Sequence, residues 1–179
     1  FSTGAQRNHA DDGLYLMDNT LQIAKQIPLA SMASLPHSPS VKCFIIDKTG
    51  DLWMGTYDYG LITFSLDDYL EKNEDVQVEQ ILLDPIHTDE NNVNSVYQMV
   101  QVENCLAIGT KFGTIIRNLD TGKMDTRYYR FRDLNEIEVF AVDNKKRIWV
   151  GSKTEGKGIC VYDTRTEEMS CYYHNSDDL

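Results

Sequence analysis

Apolar and polar residues alternate over short runs in this chain, and the runs recur in one order. The plainest run is Leu52-Trp53-Met54-Gly55-Thr56, which returns as Leu106-Ala107-Ile108-Gly109-Thr110 and as Ile148-Trp149-Val150-Gly151-Ser152. A second run follows each copy: Gly60-Leu61-Ile62-Thr63-Phe64, Gly113-Thr114-Ile115-Ile116-Arg117 and Gly158-Ile159-Cys160-Val161-Tyr162. It also stands alone near the start, as Gly13-Leu14-Tyr15-Leu16-Met17. A third run precedes the first, as Val41 to Asp47, Ser95 to Gln101 and Ile137 to Asp143. A looser fourth run closes each unit, as Val78 to Leu82, Thr126 to Phe131 and Met169 to Tyr173. Each run has roughly 4–7 residues and is rich in Val, Ile, Tyr, Phe, Trp or Thr, which predicts a strand. No long stretch carries the 3.6-residue period of a helix.

Turn chemistry separates the runs. Asp47-Lys48-Thr49-Gly50 ends on a residue that tolerates positive φ. The aligned position is Asn104 in the middle copy, the next best residue there, and Lys146 in the last, which fits less well. Asp120-Thr121-Gly122 predicts a hairpin turn between a third and a fourth strand. The polar run Asp67 to Asp75 lengthens one hairpin loop, with room for a helical turn. Glycines mid-strand at Gly55, Gly109 and Gly151 predict close backbone approach. Thr56, Thr110 and Ser152 are placed to satisfy nearby backbone groups.

Four antiparallel strands repeated at roughly 40–50 residues predict an all-β fold, a β-propeller of four-stranded blades. A plain β-sandwich would not require the self-similarity. The predicted division is a partial blade over 1–33 and full blades over 36–85, 93–133 and 136–174. Phe1-Ser2-Thr3 aligns with Met54-Gly55-Thr56, so the chain is expected to begin inside a strand.

Length alone, 179 residues, reads as one domain. The repeats change that, because a closed propeller of six to eight blades needs roughly 270–360 residues. About half of one propeller is therefore expected. Ten Tyr, six Phe and two Trp supply material for a core. Seventeen basic and 28 acidic side chains leave a net charge of −11, which argues against a nucleic-acid partner. No run approaches the roughly 18 apolar residues that would span a bilayer. Four Cys are too few for a disulfide-stapled mini-fold.

Two strings now carry a resemblance. Phe44 to Phe64 (FIIDKTGDLWMGTYDYGLITF) and Phe140 to Tyr162 (FAVDNKKRIWVGSKTEGKGICVY) resemble the two-component regulator propeller repeat. The shared pattern is an apolar strand ending in Asp, a tight turn, Leu/Ile-Trp-x-Gly-Thr/Ser, a short loop, then Gly-Leu/Ile and an aromatic. It is specific at Asp47, Trp53, Gly55, Thr56 and Gly60, and at Asp143, Trp149, Gly151 and Gly158. It is weaker in the middle copy, where Gln101 and Ala107 stand for the Asp and the Trp. The Gly-His…Trp-Asp signature of the WD40 repeat does not occur. The resemblance implies a non-catalytic sensor segment of a hybrid two-component receptor that signals to a downstream histidine kinase. It implies a periplasmic location, a membrane reached only through flanking segments, and a small carbohydrate ligand. A polysaccharide lyase or hydrolase and a protein-interaction scaffold are the alternative readings. No cofactor or metal is implied.

Trp53 and Trp149 could stack on sugar rings. Their identical mid-strand places favour packing between blades. Of the four His, His37, His87 and His174 all fall between the fourth strand of one unit and the first of the next, which puts them on one face as loop residues. His9 stands apart, and no metal-ligand spacing, nucleophile elbow or phosphate loop occurs. Cys43 alternates with Val41 and Ile45 and reads as a small buried hydrophobe. Pairing Tyr162 with Met169 would set Cys160 opposite Cys171. Strand-pair geometry often strains such a bond, so free thiols are the expectation.

In a four-stranded blade, the loop between strands two and three shares a face with the blade-to-blade connection. Those loops are Tyr57-Asp58-Tyr59, Lys111-Phe112 and Lys153-Thr154-Glu155, with Arg7, His9, Asp11 and Asp12 at the N-terminal remnant. They differ between copies while the strands stay alike, and variable loops on a repeated frame are where binding resides. The candidate ligand-binding residues are Tyr57, Asp58, Tyr59, Lys111, Lys153 and Glu155. Blades at each end would carry unpaired edges or uncovered apolar faces, so self-association through them is a further expectation.

Overall fold

The computed structural model describes residues 14–72, 75–86, 93–129, 135–153 and 158–172. It begins with an antiparallel pair, β1 (Leu14–Met17) and β2 (Ile23–Ile27), followed by the single turn α1 (Leu29–Met32). A four-stranded sheet follows, built of β3 (Val41–Ile46), β4 (Asp51–Thr56), β5 (Leu61–Ser65) and, after α2 (Leu66–Lys72), β6 (Glu79–Ile81). The second sheet holds β7 (Val96–Val102), β8 (Cys105–Thr110), β9 (Gly113–Asn118) and β10 (Met124–Asp125). The third holds β11 (Ile137–Val142), β12 (Arg147–Ser152), β13 (Ile159–Asp163) and β14 (Glu168–Tyr172). Each sheet is a meander of sequential strands, so the fold is a β-propeller fragment of three full blades and part of a fourth. The chain forms two compact units, residues 1–96 and 97–179.

Alternation decides the two faces of each blade. In β4, Leu52 and Met54 point into the first unit's core with Leu14, Ile27, Val41 and Phe64, while Trp53 and Gly55 point the other way. In β12, Ile148 and Val150 enter the second unit's core with Ala107, Ile116, Phe140 and Tyr162. The glycines on the opposite faces are needed for contact. A Cβ on Gly55 would lie 2.5 Å from Val96 Cγ1, and one on Gly109 would lie 2.9 Å from Ile137 Cγ2. Val96 and Ile137 are the first residues of β7 and β11.

The recurring Asp and Trp have one cause. Asp47 Oδ1 accepts from the Thr49 and Asp51 amides at 2.8 and 3.1 Å, and Oδ2 accepts from Trp53 Nε1 at 2.9 Å. Asp143 does the same with the Lys145 and Arg147 amides and Trp149 Nε1, the last at 3.2 Å. One carboxylate thus closes the β-turn and anchors an indole on the next strand. Burial would raise the Asp47 carboxyl, but the bonds from Thr49, Trp53 and the backbone outweigh it and hold it below the ordinary range. In the middle blade the residue six places on from Val96, as Asp47 is from Val41 and Asp143 from Ile137, is the buried Val102 and not the expected Gln101, so with Ala107 both partners are missing together, and the turn changes. There β7 runs on to Val102 and only Glu103 and Asn104 separate the strands. The left-handed residue is Glu103, at φ 54, which corrects the expectation for Asn104. Gly50 and Lys146 hold the positive φ in the other two blades, at 88 and 64.

Three further points were decided by local geometry. The run after Asp67 is helical, with Asp67 and Asp68 in the first turn of α2, Lys72 in the last and Tyr69 buried against Phe64. The fourth strand of the second blade is Met124–Asp125, earlier than the expected Thr126 to Phe131, of which Tyr129 adds a single bridge to Gly113 while residues 130 and 131 lie outside the described residues. The turn between Asn118 and Lys123 returns the chain early, pairing Met124 with Arg117 and Asp125 with Ile116. Cys160 and Cys171 are bonded, against the expectation of free thiols. The register does pair Tyr162 with Met169, and it brings the two Cα atoms to 4.0 Å. Cys43 and Cys105 are free, and burial pushes the Cys43 thiol up to about 12.

Candidate functional site

The loop after β4 is built from Thr56. Its hydroxyl donates to Gly60 O and accepts from the Tyr59 amide, each at 2.9 Å. Gly60 has φ 72, and a Cβ there would fall 2.2 Å from Ile81 O, so glycine is required. The loop is then pinned by the connections between blades. Tyr57 N donates to Ser40 O, Gly60 N donates to Asn94 O, and the Ser95 hydroxyl donates to Tyr57 O. Gln80 Nε2 donates to Tyr59 O at 3.1 Å.

These constraints fix two half-buried tyrosines on either side of the exposed Asp58. The Tyr59 hydroxyl lies 2.8 Å from His37 Nε2, with the rings edge to face at 5.4 Å between centroids. Burial, then the neighbouring Asp58 charge, raises the Tyr59 phenol, so it stays protonated. Lys42 Nζ sits 5.1 Å above the Tyr57 ring. The first unit therefore brings Tyr57, Asp58 and Tyr59 together with His37, Lys42 and Gln80.

The second unit repeats the frame with other side chains. Thr110 donates to Gly113 O at 2.8 Å and accepts from Phe112 N at 3.1 Å. Lys111 O accepts from Glu136 N at 2.8 Å, and Glu136 O accepts from Lys153 N at 3.1 Å, so one connector residue holds the Lys111 and Lys153 loops. Lys111 Nζ stands 5.2 Å from the Phe112 ring, and Lys153 Nζ pairs with Glu138 Oε1 at 3.4 Å. The Ser152 hydroxyl donates to Asn135 O. Glu155, Arg7, His9, Asp11, Asp12, His87 and His174 lie outside the described residues.

Trp53 is 6% exposed and bonded to Asp47, which makes it a packing residue. Trp149 is half-buried, with the Arg147 guanidinium 5.6 Å from its ring. Sequence reasoning placed His37 on the loop face but gave it no partner, and passed over Lys42 and Gln80. The available signal was the Ser-Val pair that opens β3 and β7, because Ser40 and Ser95 are the residues that grip the Tyr57 loop.

The family described as two component regulator propeller matches residues 34–58, which hold the His37 connector, β3, β4 and Tyr57-Asp58. No curated protein matches the chain by sequence. Among solved structures, the extracellular domain of BT4673 of B. thetaiotaomicron, described as a one component system, matches with a TM-score of 0.67 at 22% identity. That match covers 93% of this chain and 20% of that one. The extracellular domain of BT3049 of the same organism, described as a hybrid two component system, gives 0.64 at 17%, covering 92% and 19%. PorZ, a surface component of the type-IX secretion system of Porphyromonas gingivalis, gives 0.54 at 14%, covering 86% and 20%. The chain spans about a fifth of the length of these structures, and at such identities the likeness concerns the fold. Residues 34–58 thus match the two component regulator propeller family by sequence, and the chain around them is similar in fold to the β-propeller blades of these extracellular domains.

Proposed function

We propose that the chain is part of the extracytoplasmic sensing region of a two-component receptor, non-catalytic in itself, which binds glycan fragments and signals to a downstream kinase. The observation that carries this reading is the pinned Tyr57-Asp58-Tyr59 loop beside His37. Two fixed aromatic rings flanking a carboxylate suit a sugar, whose apolar ring face stacks on an aromatic while its hydroxyls donate to the acid. Lys111, Lys153 and Glu155, on loops of the same kind in the second unit, are proposed as ligand contacts in their own right. The disulfide supports an oxidising location such as the periplasm, since such bonds persist there.

The test is binding to a panel of neutral and acidic oligosaccharides, measured by calorimetry on the full-length receptor and on its Tyr57→Ala, Tyr59→Ala and Lys153→Ala variants. The expected result is one bound oligosaccharide class whose affinity falls at least tenfold in the tyrosine variants. Unchanged affinity in all three overturns the reading. New reducing ends in the binding mixture would assign the propeller to polysaccharide cleavage instead.

A further inference from the structure

Among the described residues the Tyr59 hydroxyl is bonded to His37 alone, at 2.8 Å from Nε2 and 3.3 Å from Nδ1. The rest of Tyr59 is fixed. Its amide donates to Thr56 Oγ1, its carbonyl accepts from Gln80 Nε2, and its ring meets the imidazole edge to face. Burial and the Asp58 charge keep the phenol protonated, so one phenolic proton is shared with the ring opposite. A neutral imidazole with its hydrogen on Nδ1 accepts that O–H at Nε2, which leaves the Tyr59 oxygen free to accept from outside. An imidazolium has no bare nitrogen and donates instead, so the phenolic O–H must turn away from it. Imidazole is the side-chain type that ordinarily changes charge between about pH 5 and 8.

The pair is open to a ligand, His37 being exposed and Tyr59 half-buried. The charged side chains on the elements around it are Asp58 on the Tyr59 loop, Lys42 on β3 and Glu79 on β6 beside Gln80. Two carboxylates thus stand against one ammonium, and a charged His37 adds a second cation. We propose that His37 is a positioning residue that sets ligand specificity through Tyr59. As a neutral imidazole it leaves the Tyr59 oxygen as an acceptor for sugar hydroxyls, and as an imidazolium it turns the Tyr59 O–H outward as a donor to the carboxylate of an acidic sugar. This rests on the sugar-binding role of the loop, and adds which class of sugar is favoured on each side of the imidazole titration.

The experiment uses the full chain with its tyrosines isotope-labelled at Cζ. The Tyr59 resonance, assigned by its loss in Tyr59→Phe, is followed by NMR from about pH 5 to 8. It is expected to move in one step that vanishes in His37→Gln, where the other histidines remain. Methyl β-glucuronide is then titrated at about pH 5.5 and pH 8, its carboxylate being ionised at both. Binding is expected to be about tenfold tighter at the lower pH, the measure of one charge-assisted hydrogen bond. The ratio is expected to fall to about one in His37→Gln, which lacks the switch, and most of it should go in Tyr59→Phe, which lacks only the hydroxyl. A ratio that survives in Tyr59→Phe would reduce the effect to the imidazolium charge and overturn the proposal. A Tyr59 resonance that stays still, or that still moves in His37→Gln, overturns it and leaves the sugar-binding role standing. A Tyr59 resonance that follows His37 while glucuronide binding is absent or equal at the two pH values also overturns it, and places the fault in the ligand class.

Discussion

Breaking the Cys160–Cys171 bond should cost measurable stability, and the amount follows from where the bond lies. It joins β13 to β14 across a hairpin with a sequence separation of 11. Chain entropy for a closed loop of that length puts the constraint on the unfolded state at about 2.8 kcal/mol at 25 °C. The native side adds little to this, because the ladder already holds the two strands in register. With a urea slope of about 2 kcal/mol/M, the midpoint should fall by roughly 1.4 M on reduction.

The assay is urea unfolding followed by far-UV circular dichroism, on the oxidised chain, on the same chain with a phosphine reductant, and on the Cys160→Ala/Cys171→Ala double variant. Cys160 is wholly buried, so the variant also loses packing and should unfold slightly below the reduced wild type. Thiol labelling in denaturant should count two free cysteines before reduction, Cys43 and Cys105, and four after it. Four labelled thiols in unreduced protein, or a midpoint that ignores the reductant, would refute the reasoning.

Trp53→Phe should cost about 1.5–3 kcal/mol, because it strips a buried carboxylate oxygen of its donor. Trp149→Phe should cost less in the same urea series, since Arg147 Nε still donates to Asp143 Oδ2 at 2.7 Å. The Asp47 carboxyl is held below its unfolded value of about 3.9, so it stabilises the fold above that pH and the contribution is lost as pH falls through the folded value. The urea midpoint of the wild type should therefore drop more steeply below about pH 4 than that of Asp47→Asn; parallel pH profiles would remove Asp47 from the account. Gly60→Ala should cost more than about 1 kcal/mol, because positive φ and the Ile81 carbonyl both exclude a side chain, and thermal unfolding would register it.

Much of this architecture was legible because a blade is specified locally. Strand runs, turn residues and the Thr56 and Thr110 bonds depend on neighbours within a few residues of each other, whereas Ser152 at the aligned place donates to Asn135 O in the connector before its blade. What escaped depended on distance or on facing. Tyr59 and His37 are 22 residues apart and meet only because the connector returns to the loop, a relation no short window contains. The register of Cys160 and Cys171 was readable, but register alone does not say whether a facing pair is the wide or the close kind, and closeness decided the bond. The middle blade shows the same principle from the other side. Taken singly, Val102 at the Asp place and Ala107 at the Trp place look like two departures from the repeat. Once Asp47 Oδ2 is seen to accept from Trp53 Nε1, they become one: without the indole the carboxylate has nothing to anchor, and without the carboxylate the Asp-closed turn gives way to a two-residue hairpin with its left-handed residue at Glu103. The repeat is thus held by a coupled pair of side chains, and a blade that gives up one member gives up both.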